Sequence, residues 1–450
     1  MGKLKIEYSD KKITPFGGMK LLKDFMDKTS VIDDLQSVNL PQGYSNAAYD
    51  PVDIVQGFWL AIFTGASRYI HADWIRYDTT LQSIFDIKRL PSQSTYSRFF
   101  HKFDMEKNSE IFPQLQQKFL SQIDVGSITI DLDSTVITRY GDQEGASKGY
   151  NPKKPGRNSH HPLIAFISQT KMVANAWMRS GNTSDLNNYS NFLDETFDVC
   201  LKDHKVGLVR ADSGFYSQKF LEYFENRNLN YIVAVKFYEN IKYTIGSVTK
   251  WVSITKGLEV ASLRFKPDNG KERRYIIVRK LISEYPKSGG KLLFDEPTYR
   301  YSAFVTNIEL PVDQIYNIYN TRADCENRIK ELKYDFGADN FCLKDFYATE
   351  ASFRFIMMAY NIMALFKHEV LNSNMMLSTL RSYCFALGSW ITEHANIKTL
   401  KISLPQKRRA WMDGLFENVK QSQLPFKYTW QFWTKLHSKE AKKLQSIVVK

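Results

Sequence analysis

The spacing of apolar residues changes along the chain and divides it into helical and strand-rich parts. Over the first 120 residues the apolar positions recur with helical spacing, most clearly over 18–30, 51–66 and 94–103. Residues 127–137 instead alternate between β-branched and polar types, which predicts a strand. Further strands are predicted over 163–168, 172–178, 206–212 and 231–236, with helices over 184–197 and after Ser217. Strands mixed with helices predict an α/β fold for this central part.

In the later part of the chain, helical spacing and strand-like alternation occupy separate segments. Over 237–305 helical spacing disappears, and alternating segments flank a turn at 267–270, which predicts a β-rich insertion. Helical spacing returns over 311–337 and over the strongly apolar segment 350–368. The remainder is predicted to be helical, with a basic stretch over 398–409 that either contacts DNA or is solvated.

The segment 311–337 is predicted to be one long helix that begins at Pro311 and ends at Gly337. Four polar side chains share one face of it: Tyr319, Arg322, Glu326 and Lys333. Their spacing places them in a sector about 60° wide, which favours a charged ligand lying against this face. The alternative is a solvated face with ion pairs between Glu326 and Arg322 or Lys330.

Charge and cysteine content narrow the class of partner and the compartment. The 450 residues carry a net charge of +13, which favours a polyanion, nucleic acid first and an anionic membrane surface second. No apolar run is long enough to span a bilayer, and the first residues lack the apolar segment of a signal peptide. The four cysteines are scattered without a CxxC pair, so neither a disulfide framework nor a zinc site is expected. We expect a cytoplasmic protein.

Carboxylates are predicted near the ends of two strands. In 127–137, Asp131 and Asp133 share one face, and Asp133 lies nearer the carboxyl end. Aspartate is depleted in strands because its burial is costly, so a metal or a cation is expected beside it, and a Lys or Arg partner is the alternative. Asp212 ends the strand 206–212, where open α/β sheets place ligands, or else it caps the turn that follows.

Two further segments are candidates for contact with DNA. The loop 149–163 contains no acidic residue and carries Lys153, Lys154 and Arg157, which are expected to contact phosphates. Its adjacent histidines, His160 and His161, lack the spacing of a metal site. The second segment, 90–103, is expected to begin a helix at Ser94 or Thr95 that exposes Arg98. This helix is either the reading helix of a helix-turn-helix or part of an ordinary helical hairpin.

Three carboxylates that converge from two strand ends and a helix can hold two magnesium ions about 4 Å apart. Asp133, Asp212 and Glu326 have these origins. Magnesium prefers oxygen ligands and keeps positions for water or phosphate oxygens. One ion would activate a water or a 3′-hydroxyl, and the other would stabilise the leaving oxygen. Mg²⁺, for which Mn²⁺ can substitute, is therefore the expected cofactor.

These residues resemble those of bacterial insertion-sequence DDE transposases of the group marked by a YREK signature. The resemblance covers most of the chain. Tyr319, Arg322, Glu326 and Lys333 reproduce the spacing Y-x2-R-x3-E-x6-K without a gap. Asp133-Ser134-Thr135 matches the first aspartate motif of the family, and Asp212-Ser213-Gly214-Phe215 matches the second.

The resemblance implies an RNase H-like catalytic core, in which a mixed sheet is flanked by helices, with a β insertion before the glutamate. It implies Asp133, Asp212 and Glu326 as catalytic metal ligands, and Tyr319, Arg322 and Lys333 as contacts to the phosphates near the cleaved end. It also implies cut-and-paste transposition on double-stranded DNA by a dimer bound to inverted-repeat ends, in a bacterial cytoplasm and at the nucleoid when bound to DNA.

Five regions are predicted from these patterns and from the resemblance. They are a helical DNA-binding region (1–120), the first half of the core (121–236), the β-rich insertion (237–305), the second half of the core (306–370) and a helical C-terminal region (371–450). The last region contains aromatic residues that could anchor a dimer or lie in the core: Trp411, Phe416, Trp430, Phe432 and Trp433.

Several functional alternatives stay open at the level of sequence. Family members often release the element through a hairpin, for which Trp251, Tyr299 or Tyr301 could hold a flipped base, although the core is the commoner place for such aromatics. A nuclease without strand transfer and a non-catalytic DNA-binding regulator are the competing functions. The sequence does not decide the terminal repeats, the target preference or whether Asp131 also binds metal.

Overall fold

The structure is a computed structural model that describes residues 4–45, 47–236, 245–246, 248–267, 270–283, 298–395 and 397–428. The α-helices are α1 (Met19–Met26), α2 (Val31–Gln36), α3 (Pro51–Thr64), α4 (Thr79–Phe85), α5 (Gln93–Phe100), α6 (Met105–Leu120), α7 (Tyr189–Asp194), α8 (Gln218–Asn226), α9 (Val312–Asn320), α10 (Asp324–Tyr334), α11 (Phe346–Phe366), α12 (Leu377–Leu380) and α13 (Gln406–Gln421). The strands are β1 (Ile13–Thr14), β2 (Ile123–Asp124), β3 (Ser127–Ser134), β4 (Ile137–Thr138), β5 (Ser147–Lys148), β6 (Asn158–His160), β7 (Leu163–Ile167), β8 (Val173–Trp177), β9 (Lys205–Ala211), β10 (Asn230–Ala234), β11 (Val252–Thr255), β12 (Leu258–Phe265), β13 (Arg273–Ser283), β14 (Thr298–Thr306), β15 (Ser389–His394), β16 (Ile397–Ile402) and β17 (Phe426–Lys427).

A nine-stranded mixed sheet forms the centre of the protein, in the order β11-β12-β13-β14-β10-β9-β3-β7-β8. Strands β3, β7 and β8 are antiparallel neighbours, whereas β9 runs parallel to β3 and β10 runs parallel to β9. Five strands in chain order thus occupy the positions 3-2-1-4-5, which is the arrangement of an RNase H-like core. The predicted mixed α/β fold with an RNase H-like sheet is confirmed.

The strands of the β-rich insertion extend this sheet. Strand β14 pairs with β10 in antiparallel orientation, and β13, β12 and β11 follow outward as antiparallel neighbours. Helix α9 packs against this part of the sheet, where the fully buried Ile315 contacts an apolar cluster that includes Ile232 and Phe304. Because β14 pairs with the core strand β10, the helices α9 and α10 that follow β14 begin next to the core strands.

The predicted single helix over 311–337 is wrong in one respect that affects the site. The structure has two α-helices, α9 and α10, joined by a 3₁₀ turn at Thr321–Ala323. The spacing of apolar residues does not reveal such a break, because the break involves hydrogen bonds from a residue that is distant in the sequence. Gly337 follows the second helix in a left-handed conformation (φ 67°), as the predicted end of a helix requires.

Two local expectations are corrected. Ser92, and neither Ser94 nor Thr95, caps α5, because the Ser92 side chain accepts a hydrogen bond from the Thr95 amide. The C-terminal part contains helices α12 and α13 but also the hairpin β15–β16, whose strand β15 pairs with β1 from the other end of the chain. A short strand that pairs with so distant a segment is difficult to predict from the pattern of neighbouring residues. Trp430, Phe432 and Trp433 lie outside the described residues.

Helix α11 is the strongly apolar helix of the second half of the core. Nineteen of its residues are buried, including Glu350, Arg354 and Asn361, which hydrogen-bond to neighbouring elements. Across the described part of the chain, no helix combines the length and the apolarity needed to cross a membrane.

Candidate active site

Asp133 and Asp212 lie side by side because their strands are parallel neighbours. The register of β3 and β9 pairs Leu132 with Ala211, so the next residue of each strand is an aspartate at the same edge of the sheet. Asp212 directly follows β9 and accepts a hydrogen bond from the Gly214 amide at 2.9 Å through Oδ1. It therefore caps the turn, as one of the two sequence interpretations expected, and it also lies at the carboxyl end of its strand, where its role in binding a ligand stays a prediction.

The two carboxylates are poorly solvated and repel each other. Burial raises the pKa of Asp133 to about 6; the Arg322 guanidinium lowers it by less, and the charge of Asp212 raises it further. Burial also raises the pKa of Asp212, again against the attraction of Arg322. The cost of burying the two charged carboxylates therefore exceeds the stabilisation that Arg322 provides.

Three residues of the signature face the sheet edge that carries the aspartates. The Tyr319 hydroxyl donates to the Ala211 carbonyl at 3.2 Å, and Lys333 Nζ donates to the Val136 carbonyl at 2.9 Å. Arg322 Nη2 donates to the Leu132 carbonyl at 2.7 Å and lies 3.3 Å from Asp133 Oδ2. Burial lowers the pKa of Lys333 to about 8 and raises the pKa of Tyr319 to about 12.

Glu326, the fourth residue of the signature, is exposed on the first turn of α10. Among the described residues, no group of three His, Cys, Asp or Glu side chains is placed to hold a metal ion. The structure therefore brings Asp133 and Asp212 together but does not add Glu326 to them. Arg322 pairs with Asp133 and not with Glu326, the partner that the solvated-face alternative gave it, and it lies in the 3₁₀ turn between the two helices.

Asp131 has a different partner from its neighbour Asp133. Both of its carboxylate oxygens accept hydrogen bonds from Arg210, at 2.6 Å from Nε and 2.8 Å from Nη2. Asp131 is fully buried and Arg210 is 2% exposed. The alternative in which a strand aspartate pairs with an arginine thus describes Asp131, whose two oxygens are engaged by a cation.

Asp185 and His161 also line the site, although sequence patterns did not single out either of them as a functional residue. A Cβ atom added at Gly214 would lie 2.1 Å from Asp185 Oδ2, so this carboxylate sits directly on the turn after Asp212. His161 Nε2 lies 3.1 Å from Ser134 Oγ and 3.7 Å from Asp185 Oδ1. The sequence predicted a helix over 184–197 that would include Asp185, but α7 begins only at Tyr189, and Asp185 lies in an irregular loop before it. The pair of histidines was noted in the sequence only as lacking the spacing of a metal site.

The basic residues predicted to contact DNA are exposed. Lys153, Lys154 and Arg157 lie on the loop between β5 and β6, and the charge of Lys153 helps to lower the pKa of Lys333. The side chains of Lys154 and Arg157 lie over the ring of Tyr140, at 4.7 and 5.9 Å from its centroid. Arg98 is exposed on α5. Their roles in DNA binding stay predictions.

The aromatic residues considered for a flipped base lie together in the insertion. Arg279 is placed over Trp251 and Tyr299, at 4.0 and 4.7 Å from the ring centroids, and its Nε donates to Glu259 at 2.6 Å. Tyr301 lies 6.5 Å from Trp251 between centroids and is 38% exposed. The rings therefore already pack on one another and on a cation.

The donor set fits a hard divalent cation in part. Asp133 and Asp212 supply oxygen ligands of the kind that such a cation prefers, and burial raises the pKa of both carboxyl groups. The third carboxylate is not in place, so the fit rests on these two aspartates.

The pH dependence of stability provides a test of the Asp133 environment. Because its folded pKa of about 6 exceeds the ordinary value of 3.8, its contribution to stability is full below pH 4 and is lost as the pH rises through 6. We expect the free energy of unfolding, measured by denaturant titration with EDTA, to fall by about 3 kcal/mol relative to Asp133→Asn across this window. The same pH slope in the wild type and in Asp133→Asn would contradict this environment.

The chain was compared with known families and structures. The model of the family described as transposase DDE domain group 1 matches residues 2–424. Among solved structures, the piggyBac transposase synaptic complex with hairpin DNA, studied by cryo-EM, matches with 11% identity and a TM-score of 0.43, covering 98% of this chain and 88% of that chain. No curated protein matches the chain.

Proposed function

The chain belongs to the transposase DDE domain group 1 family, and we propose that it catalyses metal-dependent cut-and-paste transposition of an insertion sequence. The observation that carries the proposal is the pair Asp133 and Asp212 at neighbouring strand ends, beside a face that presents Arg322, Lys333 and Tyr319. Carboxylates beside buried cations are what phosphodiester chemistry needs, because metal ligands and phosphate contacts must meet at one phosphorus atom.

The proposed metal ligands are Asp133, Asp212 and Glu326, with two Mg²⁺ ions, or Mn²⁺, as the cofactor. When bound, the ions would activate a water or a 3′-hydroxyl and stabilise the leaving oxygen. Glu326 is exposed, so its side chain has to turn towards the aspartates when DNA and metal bind. An exposed glutamate on the first turn of a helix can change rotamer at little cost, which allows its side chain to reorient when DNA and metal bind.

Arg322, Tyr319 and Lys333 are proposed to hold the phosphates next to the cleaved bond. In this structure the Nε of Arg322 is buried and meets no acceptor within the described residues, so one donor is available for a phosphate oxygen. Among the residues that the structure describes, the partners of Lys333 and Tyr319 are main-chain carbonyls. The neutral bond of Tyr319 can be exchanged for a charge-assisted bond to phosphate, which is roughly twice as strong. Lys333 would exchange a neutral carbonyl acceptor for an anionic one.

The DNA partners follow from the same proposal. They are terminal inverted repeats and target DNA, brought together by two copies of the chain in a bacterial cytoplasm. A hairpin on the element end is one form of the excision step, and Trp251, Tyr299 and Tyr301 are the aromatic candidates for it. Detecting only open double-strand breaks, under conditions that trap intermediates, would rule out this form.

The loop that carries Lys153, Lys154 and Arg157 is proposed to contact the DNA backbone. Replacing all three by Ala should weaken binding to any duplex and reduce the slope of log affinity against log salt by about 3, since each phosphate contact contributes about 0.9. Fluorescence anisotropy over a salt series measures this slope. The control replaces Lys202, Lys219 and Lys427, which are exposed outside the segments predicted to contact DNA; equal losses in both triple variants would contradict a specific role for the loop.

A strand-transfer assay tests the proposed function against its two alternatives. Duplex fragments that carry the DNA flanking the coding frame are incubated with the protein, Mg²⁺ and a supercoiled target. Cutting followed by joining supports transposition, and cutting without joining of pre-cleaved ends supports a nuclease. Binding without cutting in Mg²⁺ or Mn²⁺ supports a non-catalytic regulator and would overturn the proposal.

A further inference from the structure

The face of the sheet that carries the aspartates has a second pair of charged residues one step behind them. Strands β3 and β9 pair Asp131 with Arg210, two residues before Asp133 and Asp212. Side chains two residues apart lie on the same face of a strand. This face therefore carries two neighbouring pairs of charged residues. The inner pair is the ion pair of Asp131 with Arg210, and the outer pair is Asp133 with Asp212.

The inner pair is buried, so stability alone does not explain why two charged residues occupy these positions. A buried ion pair loses so much hydration that an apolar pair of similar volume often stabilises a fold equally well. Asp131 satisfies only Nε and one Nη atom of the guanidinium, at 2.6 and 2.8 Å. What the arginine does with its remaining donors indicates why a charge is placed there.

The remaining donors of Arg210 reach the break between the two site helices. Nη1 donates both to the Ile318 carbonyl and to Thr321 Oγ1. Ile318 lies in the last turn of α9, and Thr321 is the first residue of the 3₁₀ turn. Thr321 Oγ1 in turn donates to the Ile318 carbonyl at 2.9 Å. The guanidinium therefore binds the end of one helix at the point where the chain changes to the tighter turn.

A second arginine fixes the chain after the break. Arg328, on α10, donates to the carbonyls of Ile167 and Ser168 at 3.4 and 3.3 Å and to Asp324 at 2.9 Å. Arg210 Nη2 also donates to Ser168 Oγ at 2.8 Å. The 3₁₀ turn is thus held between two buried arginines that share Ser168 at the end of β7.

From these contacts we infer that Arg210, oriented by Asp131, is a positioning residue that sets the break between α9 and α10. The break sets where Arg322 and Glu326 point relative to Tyr319, which precedes the break in α9. It directs Arg322 to Asp133, and it places Glu326 on the first turn of a new helix. The effect of the break on DNA cleavage rests on the proposed function. The inference that Arg210 sets the break concerns the free protein alone.

Thr321→Val tests the inference because it removes the hydroxyl that accepts from Arg210 while it keeps the shape of the side chain. Ser168→Ala is the matched control, since it removes another hydroxyl from the same guanidinium without touching the break. Thr321→Ser restores the hydroxyl. Hydrogen–deuterium exchange of the amides over 318–326 is measured in the full chain, together with the thermal midpoint.

We expect faster exchange over 318–326 in Thr321→Val, and wild-type exchange in Ser168→Ala and Thr321→Ser. Equal exchange in Thr321→Val and in the wild type would overturn the inference, whether or not the protein cleaves DNA. With flanking-DNA substrates, we expect kcat to fall on the order of 10²-fold in Thr321→Val with KM little changed, and Thr321→Ser to recover it. An inactive wild type would instead overturn the proposed function, and equal kcat losses in Thr321→Val and Ser168→Ala would reduce Arg210 to a structural residue.

Discussion

Asp133→Asn should abolish DNA cleavage, with a loss of roughly 10³-fold or more, the scale on which removing one member of a catalytic group acts. Asparagine has nearly the same shape and can still accept the hydrogen bond that Ser134 donates at 2.9 Å. It lacks the charge that a divalent cation requires and that pairs with Arg322 at 3.3 Å. Single-turnover cleavage of flanking DNA in Mg²⁺ measures the loss.

The control for Asp133→Asn is Asp124→Asn, the same chemical change at an exposed position on the short strand just before β3. We expect normal cleavage by this control and normal DNA binding by both variants in anisotropy measurements. Cleavage by Asp133→Asn within a few fold of the wild-type rate would place the chemistry elsewhere.

Glu326→Gln should cause a comparable loss of cleavage although Glu326 lies outside the pair of aspartates in the free protein. If its carboxylate joins the site only with DNA and metal, removing its charge should leave the free protein unaffected. Because the side chain is exposed, we expect the free energy of unfolding to change by no more than about 0.5 kcal/mol. Affinity for flanking DNA without metal should also be unchanged.

Asp313→Asn, at the start of the neighbouring helix α9, is the matched control for Glu326→Gln. Normal cleavage by Glu326→Gln would show that the third ligand is another group. Asp185, which lies against the turn after Asp212 and helps to raise the pKa of that aspartate, would then be tested next.

The core of the fold could be predicted from the sequence because its signals are local. The alternation over 127–134, the buried run that ends at Ala211 and the turn after Asp212 each specify a strand end without reference to distant residues. The edge position of Asp133 and Asp212 then follows from parallel pairing. The spacing of Tyr319, Arg322 and Lys333 likewise placed these residues on one side of a helical segment.

What could not be predicted depends on contacts between distant residues. The break at Thr321–Ala323 coincides with hydrogen bonds from Arg210, a residue on another strand. The spacing argument assumed an unbroken helix, so it kept Arg322 and Glu326 on one face, whereas the structure pairs Arg322 with Asp133 and leaves Glu326 exposed. Asp185 lies in an irregular loop, where only the folded structure reveals its neighbour Gly214.

Iron-dependent cleavage of the polypeptide tests most directly whether Asp133, Asp212 and Glu326 share one metal site. Fe²⁺ replaces Mg²⁺ in the DNA-bound protein, ascorbate and peroxide generate hydroxyl radicals at the metal, and the cut positions are mapped by mass spectrometry. We expect cuts near all three residues, suppressed by excess Mg²⁺ and by Asp133→Asn. Cuts near Asp133 and Asp212 without any near Glu326, or no localised cuts, would contradict the proposed site.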